Sequence, residues 1–324
     1  QDGLNRYGCS PIPRDVVALG SCTCSSASPR GAEGALRTLE RLRESSEPNS
    51  TAAEIVREHR CQLRELLTIN NEVDIAFTPS GTDVELLALA LVRLRAFRQH
   101  GFRRIVNIVV GPTEVGSGTP LASAGRHYDS LVPSGESVTN GDPVCQQLAD
   151  QTSVQTVDIR DDQGRMLDES LIDAMVTEMV GHAVDEGAHV LLHVVAHSKT
   201  GMHAPSLDCV GRIARNLNDD VSIVIDAAQG RISRQGLREV LGYGYMVILT
   251  GSKFYGGPPF AGCLLVPPRY QPKRGAAKSD GWPSGLEKYL TAVEMPESWD
   301  AVRAQLPGEI NVGSILRWSA ALAE

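Results

Sequence analysis

The sequence predicts an α/β protein: a mostly parallel seven-stranded sheet with helices on both faces. Two observations predict it. Short apolar runs alternate along the chain with longer segments of helical period. Most of those runs are apolar at nearly every position, the pattern of strands covered on both sides rather than one. At 324 residues, 42% apolar and 22% charged, the chain can bury a large core and divide into two unequal domains.

Residues 1–34 are rich in Gly, Pro, Ser and Cys and read as an extended arm, with a helix over 35–44. The run Glu44-Ser45-Ser46-Glu47-Pro48-Asn49-Ser50 breaks that helix, and Ser50 or Thr51 can cap the next, over 51–68. Strands are expected at 74–78, 105–110, 154–159, 189–196, 221–225, 245–250 and 261–266. Helices are expected between them at 82–99, 169–184, 207–217 and 234–241. Residues 271–299 read as a mobile loop and 300–324 as the start of a further helical segment.

Several function classes are disfavoured at once. A net charge of −8 argues against nucleic acid or an anionic membrane as the main partner. No run approaches the roughly 20 apolar residues of a membrane helix, and the opening residues lack a signal-peptide pattern. Seven cysteines at irregular spacing suggest reduced thiols and a cytoplasmic location. Cys22 and Cys24 supply only two ligands, too few for a zinc site. His189, His193 and His197 recur every fourth residue, but on a strand consecutive ones lie about 13 Å apart, at about 3.3 Å per residue. They cannot grip one metal, and no metal is expected.

In a parallel α/β sheet, ligands sit beyond the carboxyl ends of the strands. After the first strand, Ser80-Gly81-Thr82 opens a helix and offers free amides to a phosphate. After the fifth comes Asp226-Ala227-Ala228-Gln229, and after the sixth Thr250-Gly251-Ser252-Lys253. The chain holds only five lysines, so one at a strand end is conspicuous. A phosphate cradle, an acid and a lysine at one sheet edge suggest pyridoxal 5′-phosphate. The lysine carries the coenzyme as an imine, and the acid keeps the ring nitrogen protonated so that the ring accepts electrons.

From Ser80 to Val266 the chain resembles the fold-type I pyridoxal-phosphate enzymes, closest to the class V aminotransferase and cysteine desulfurase group. Thr250-Gly251-Ser252-Lys253-Phe254-Tyr255-Gly256-Gly257-Pro258 is similar to that family's lysine run, and Asp226-Ala227-Ala228-Gln229 to its Asp-x-x-Gln. The resemblance implies Lys253 as the catalytic lysine, Asp226 on the ring nitrogen and Gln229 on the phenolic oxygen. It places His197 and Ser198 in the polar turn near that oxygen or the substrate. Ser80, Gly81, Thr82, Thr250 and Ser252 would hold the phosphate, with Gly256 and Gly257 near a phosphate that could be a partner's. It also implies a homodimer with a shared site, an amino-acid-like substrate, and three regions: an arm and helix over 1–50, a coenzyme-binding large domain over 51–270, and a loop with the start of a small domain, apparently incomplete, over 271–324.

Two departures stand out. Thr113-Glu114 matches a desulfurase Thr-Glu-His run, but Val115 occupies the histidine's place. Glu114 either faces the substrate or is tied to nearby backbone. The small domain that in the family supplies an arginine for the substrate carboxylate is also short here, and Arg317 lies in what reads as a bridging helix, so it is not given that role. The Ser- and Cys-containing arm, at Tyr7-Gly8-Cys9-Ser10-Pro11 and Ser21-Cys22-Thr23-Cys24-Ser25, could fold over the site and bind a carboxylate. The expected activity is transaminase-type chemistry at Cα of an amino acid or related amine. The alternatives are β- or γ-elimination or replacement, and a non-catalytic sensor that keeps the coenzyme fold.

Overall fold

The computed structural model describes residues 4, 8–10, 12–14, 26–101, 103–273 and 281–324. Most of the arm, including Tyr7, Pro11 and the Ser21 to Ser25 stretch, lies outside the described residues, as do residues 274–280 of the expected loop.

The chain opens with α1 (Pro29–Glu44) and α2 (Pro48–Leu67), then alternates β1 (Asp74–Thr78), α3 (Gly81–His100) and β2 (Ile105–Val110). Two short helices follow, α4 (Thr119–Ser123) and α5 (Gln146–Asp150), before β3 (Thr152–Val157), α6 (Glu169–Asp185), β4 (His189–Val195), α7 (Leu207–Asn216) and β5 (Val221–Asp226). α8 (Arg234–Gly242), β6 (Met246–Thr250), β7 (Gly262–Val266), α9 (Asp300–Arg303) and α10 (Val312–Ala323) complete it.

The seven strands form one sheet in the order β1-β7-β6-β5-β4-β2-β3. Only β7 runs against its neighbours, pairing antiparallel with β1 and β6; the other pairings are parallel. β2 and β4 are buried at every position, whereas β3, at the sheet edge, exposes Gln155 and Thr156. That is why its residues are the least apolar of the set.

Helix starts follow local chemistry. Ser28, Ser80, Asp168, Ser206 and Ser233 each accept a hydrogen bond from a first-turn amide of the helix they cap. α1 begins at Pro29, six residues earlier than the composition suggests, because Ser28 caps it and proline suits the first helical position.

Two cores flank the sheet. On one face α2, α6, α7, α8 and α10 cover it. On the other lies α3, whose residues Asp83 to Ala96 are all buried. α3 is apolar all round because a second layer covers its outer side: Tyr289, Leu290, Met295, Trp299 and Val302 join the same core. Residues 281–299 are therefore packed chain rather than a loop standing free, and Trp299 is fully buried with its indole donating to Asp74. α10 packs on α1 and α2. Among the described residues no helix is long and apolar enough to cross a membrane.

Candidate functional site

The strand ends open on a cavity of about 710 Å³. Ser80, Gly81, Thr82, Glu114, Ser198, Asp226, Gln229, Thr250, Ser252 and Lys253 all line it. The carboxyl ends of β1, β5 and β6 and the segments after β2 and β4 bring these residues together from across the sheet.

At the floor α3 begins. Ser80 accepts from the Asp83 amide, while the amides of Gly81 and Thr82 find no partner among the described residues. A Cβ on Gly81 would sit 3.1 Å from the Thr250 methyl, so glycine keeps this helix end close to β6. The cradle is therefore two unspent N–H groups at the positive end of a 20-residue helix. The hydroxyls nearby are partly committed. Ser80 donates to Asp83 (2.7 Å), and Thr250 donates to the Ala228 carbonyl (2.7 Å). Ser252 is buried, and its hydroxyl has no partner among the described residues.

Lys253 sits in the tight turn after β6 with φ +62°, a left-handed conformation that a lysine adopts only under local constraint. Its ammonium has no hydrogen bond or ion pair among the described residues. Asp226, the last residue of β5, lines the cavity; its Oδ1 accepts from the Ala228 amide at 2.9 Å, and its Oδ2 lies 3.9 Å from His193 Nε2. Gln229, one turn on, is buried at the wall.

Glu114 lines the cavity with both oxygens occupied. It accepts from Arg160 Nε (3.0 Å), Ser198 Oγ (2.6 Å), the Thr200 amide (3.1 Å) and the Thr200 hydroxyl (2.8 Å). Burial opposes its charge, but these donors outweigh it and hold the carboxyl at about 2. It is an ionised anchor for the turn after β4, tied to neighbours rather than offered to a ligand. Ser198 is correspondingly engaged with Glu114.

Three expected residues stand apart. His197 lies in the same turn at φ +53°, which swings its exposed ring towards His203 and away from the cavity. Gly256 faces Glu324, and Gly257 lies where a Cβ would meet the Gly251 carbonyl at 2.4 Å and Ala321 at 2.6 Å. Both glycines serve the close packing of the lysine turn on α10, and neither lines this cavity.

The cavity also contains groups the sequence did not single out for it. Arg317 of α10 lines it, with one long bond to the Phe260 carbonyl (3.5 Å) and its guanidinium 5.8 Å from the Phe260 ring centre. No carboxylate lies within ion-pair distance of it among the described residues, and burial lowers its pKa. Lys199 donates to the Val115 carbonyl, bringing a second ammonium to the wall. Asp83, buried beneath the cradle, accepts from Tyr128 and Ser80; burial pushes its carboxyl up to about 6. Glu85 of α3 reaches the back wall, where His193 meets it. Each sits inside a helical apolar run or an otherwise ordinary segment, and only Arg317, as a cation in an apolar helix, carried a visible signal.

The architecture matches solved structures over nearly the whole chain. An apo cysteine desulfurase from Thermococcus onnurineus NA1 superposes with a TM-score of 0.54 at 18% identity, covering 95% of this chain and 66% of that one. A NifS-like protein gives 0.55 at 15% identity, covering 94% and 68%. The fold is that of the fold-type I pyridoxal-phosphate enzymes. Oryza sativa TDC, solved with PLP, gives 0.56 at 12% identity, covering 92% of this chain and 58% of that one. This chain thus spans about two thirds of the desulfurase and less of the plant protein. No family model and no curated protein sequence matches it.

Proposed function

We propose that the chain is a pyridoxal 5′-phosphate-dependent enzyme acting at the amino group of an amino acid or a related amine. The observation that carries this reading is one cavity lined by a lysine, a strand-end aspartate and a helix start, the ammonium and two amides having no partner among the described residues. These three fit the coenzyme's aldehyde, ring nitrogen and phosphate respectively. When bound, the coenzyme supplies an aldehyde for amines and a ring that makes the Cα proton acidic.

Gly81 and Thr82 would hold the phosphate through their amides, with Ser252 adding a hydroxyl. Asp226 would face the ring nitrogen and Gln229 the phenolic oxygen. Lys253 Nζ would hold the coenzyme and, once released from it, take the proton from Cα; it has no hydrogen-bond or ion-pair partner among the described residues. Arg317 would orient the substrate through its carboxylate, since its planar donor fork otherwise holds only one long bond. Ser198 and Thr200, fixed by Glu114, would keep the turn after β4 rigid beside the ring.

Transamination is the reading adopted for the outcome at Cα, with side-chain elimination or replacement the second. Valine at 115, where the desulfurase run has histidine, counts against a desulfurase-type outcome. A homodimer sharing this site is part of the proposal, as is a cytoplasmic setting. The test is spectroscopic. Purified protein mixed with pyridoxal phosphate should gain visible absorbance that an amino acid alters, and Lys253→Ala should lose the imine band. A keto acid released with aminated coenzyme supports transamination; a side-chain fragment released over many turnovers supports elimination. A wild-type protein that binds no pyridoxal phosphate would sink the reading.

A further inference from the structure

The back wall of the cavity contains a charge arrangement the proposed chemistry does not yet use. His193, in the middle of β4, is fully buried, and its Nε2 lies 2.8 Å from Glu85 Oε1 and 3.9 Å from Asp226 Oδ2. Glu85 comes from α3, where it is 2% exposed, and Asp226 from the end of β5. β2, the other neighbour of β4, presents only Val109 opposite His193. Glu85 and Asp226 are therefore the titratable groups that face this imidazole. Glu85 Oε2 and His193 Nδ1 have no hydrogen-bond partner among the described residues, so little else answers either charge.

Burying an acid in the first turns of an apolar helix is costly unless it is paired. Here the partner is an imidazole from the neighbouring sheet, 108 residues away in sequence. Burial opposes the imidazolium, but the Glu85 carboxylate in direct contact outweighs it, with Asp226 adding to the effect, and His193 is pushed up to about 9. Burial pushes the Glu85 carboxyl up as well, while the imidazole beside it pulls it back, so the two groups titrate as one pair.

We infer that Glu85 and His193 are positioning residues for Asp226. Glu85 fixes His193 Nε2 directly behind Asp226, so that the Asp226 carboxyl group is held at the cavity wall where a ring nitrogen would lie. This rests on the coenzyme reading above and adds to it a specific source for the placement of Asp226. The same three side chains have ligand atoms within 4.8 Å of one another, so a metal ion is the competing occupant.

The test uses the double variant Glu85→Gln/His193→Gln, which keeps hydrogen-bonding capacity while removing both charges. Its affinity is measured for pyridoxal phosphate and for the analogue with carbon in place of the ring nitrogen. The inference predicts that affinity for pyridoxal phosphate falls about tenfold, the scale of one charge contact, because Asp226 is no longer held towards the ring nitrogen, while the carbon analogue is unaffected. Equal loss for both ligands, or none for either, overturns it. If the double variant does not fold, histidine NMR of the wild-type apoprotein decides: His193 protonated until about pH 9 supports the inference, and a neutral His193 at pH 7 overturns it. Stoichiometric zinc binding that the double variant abolishes also overturns it, in favour of a metal site. A wild type that takes up neither coenzyme nor analogue overturns the coenzyme reading itself, and is recognisable because the NMR result stands apart from it.

Discussion

Replacing Arg317 by methionine separates substrate recognition from folding. In the folded protein the guanidinium has one 3.5 Å bond to the Phe260 carbonyl and a 5.8 Å approach to the Phe260 ring. A bond that long contributes little, and the cation–π contact is worth about 0.5–1 kcal/mol. Burial already lowers the guanidinium pKa, so removing the charge recovers part of that cost. Stability in urea should change by less than about 1 kcal/mol. Binding should change far more. A hydrogen bond to a charged group is worth about 1.5–3 kcal/mol, or about 10- to 150-fold in affinity. The assay titrates coenzyme-loaded protein with an amino acid and, in parallel, with the amine lacking its carboxylate, following the coenzyme spectrum. Arg317→Met should weaken the amino acid by that factor and leave the amine and pyridoxal phosphate unchanged. A parallel loss for the amine, or lower coenzyme affinity, would refute the assignment; the second result would place Arg317 on the phosphate.

Other consequences follow from the geometry around the cradle. Gly262→Ala would place a Cβ 2.3 Å from the Ser80 carbonyl and 2.5 Å from Thr78 Oγ1, so the β1–β7 ladder must open beside the α3 start. It should cost about 1–3 kcal/mol in urea unfolding and weaken coenzyme binding with it. Asp83 has a folded pKa of about 6 against an ordinary 3.8, so the native state holds its proton longer than the unfolded chain. Its contribution to stability should therefore worsen as pH rises from about 4 to 6 and stay unfavourable above, by roughly 3 kcal/mol at about 1.4 kcal/mol per pKa unit. Asp83→Asn should remove that slope in pH-dependent denaturation curves; an unchanged slope would contradict the assignment.

The strand pattern was legible because β2, β4 and β5 are buried on both faces and so read as apolar runs broken only by single polar residues. β3 was read two residues late, since its exposed edge weakens the signal. The start of α1 was hidden by a Gly- and Ser-rich neighbourhood, although Ser28-Pro29 is a capping signal in itself. In the site, residues at strand ends could be anticipated because chain order places them there: Ser80, Asp226, Gln229 and Lys253 all line one cavity. The position of a side chain within a turn could not be read. His197 adopts a positive φ and turns outward while Ser198, its neighbour, turns in. Nor could long-range pairing be read. Glu85 sits in an apolar helical run, and its partner, His193, in an apolar strand; only the fold shows that each answers the other's charge. The histidines of β4 serve different neighbours: His189 meets Ser222 and Arg95 at one end of the strand while His193 meets Glu85.

Two ammonium groups, Lys253 and Lys199, line the same cavity, and the central claim concerns which of them reacts. Protein loaded with pyridoxal phosphate, reduced with borohydride and digested, should yield one phosphopyridoxyl peptide carrying the label on Lys253. A label on Lys199, or no labelled peptide from protein that has bound the coenzyme, would contradict the account.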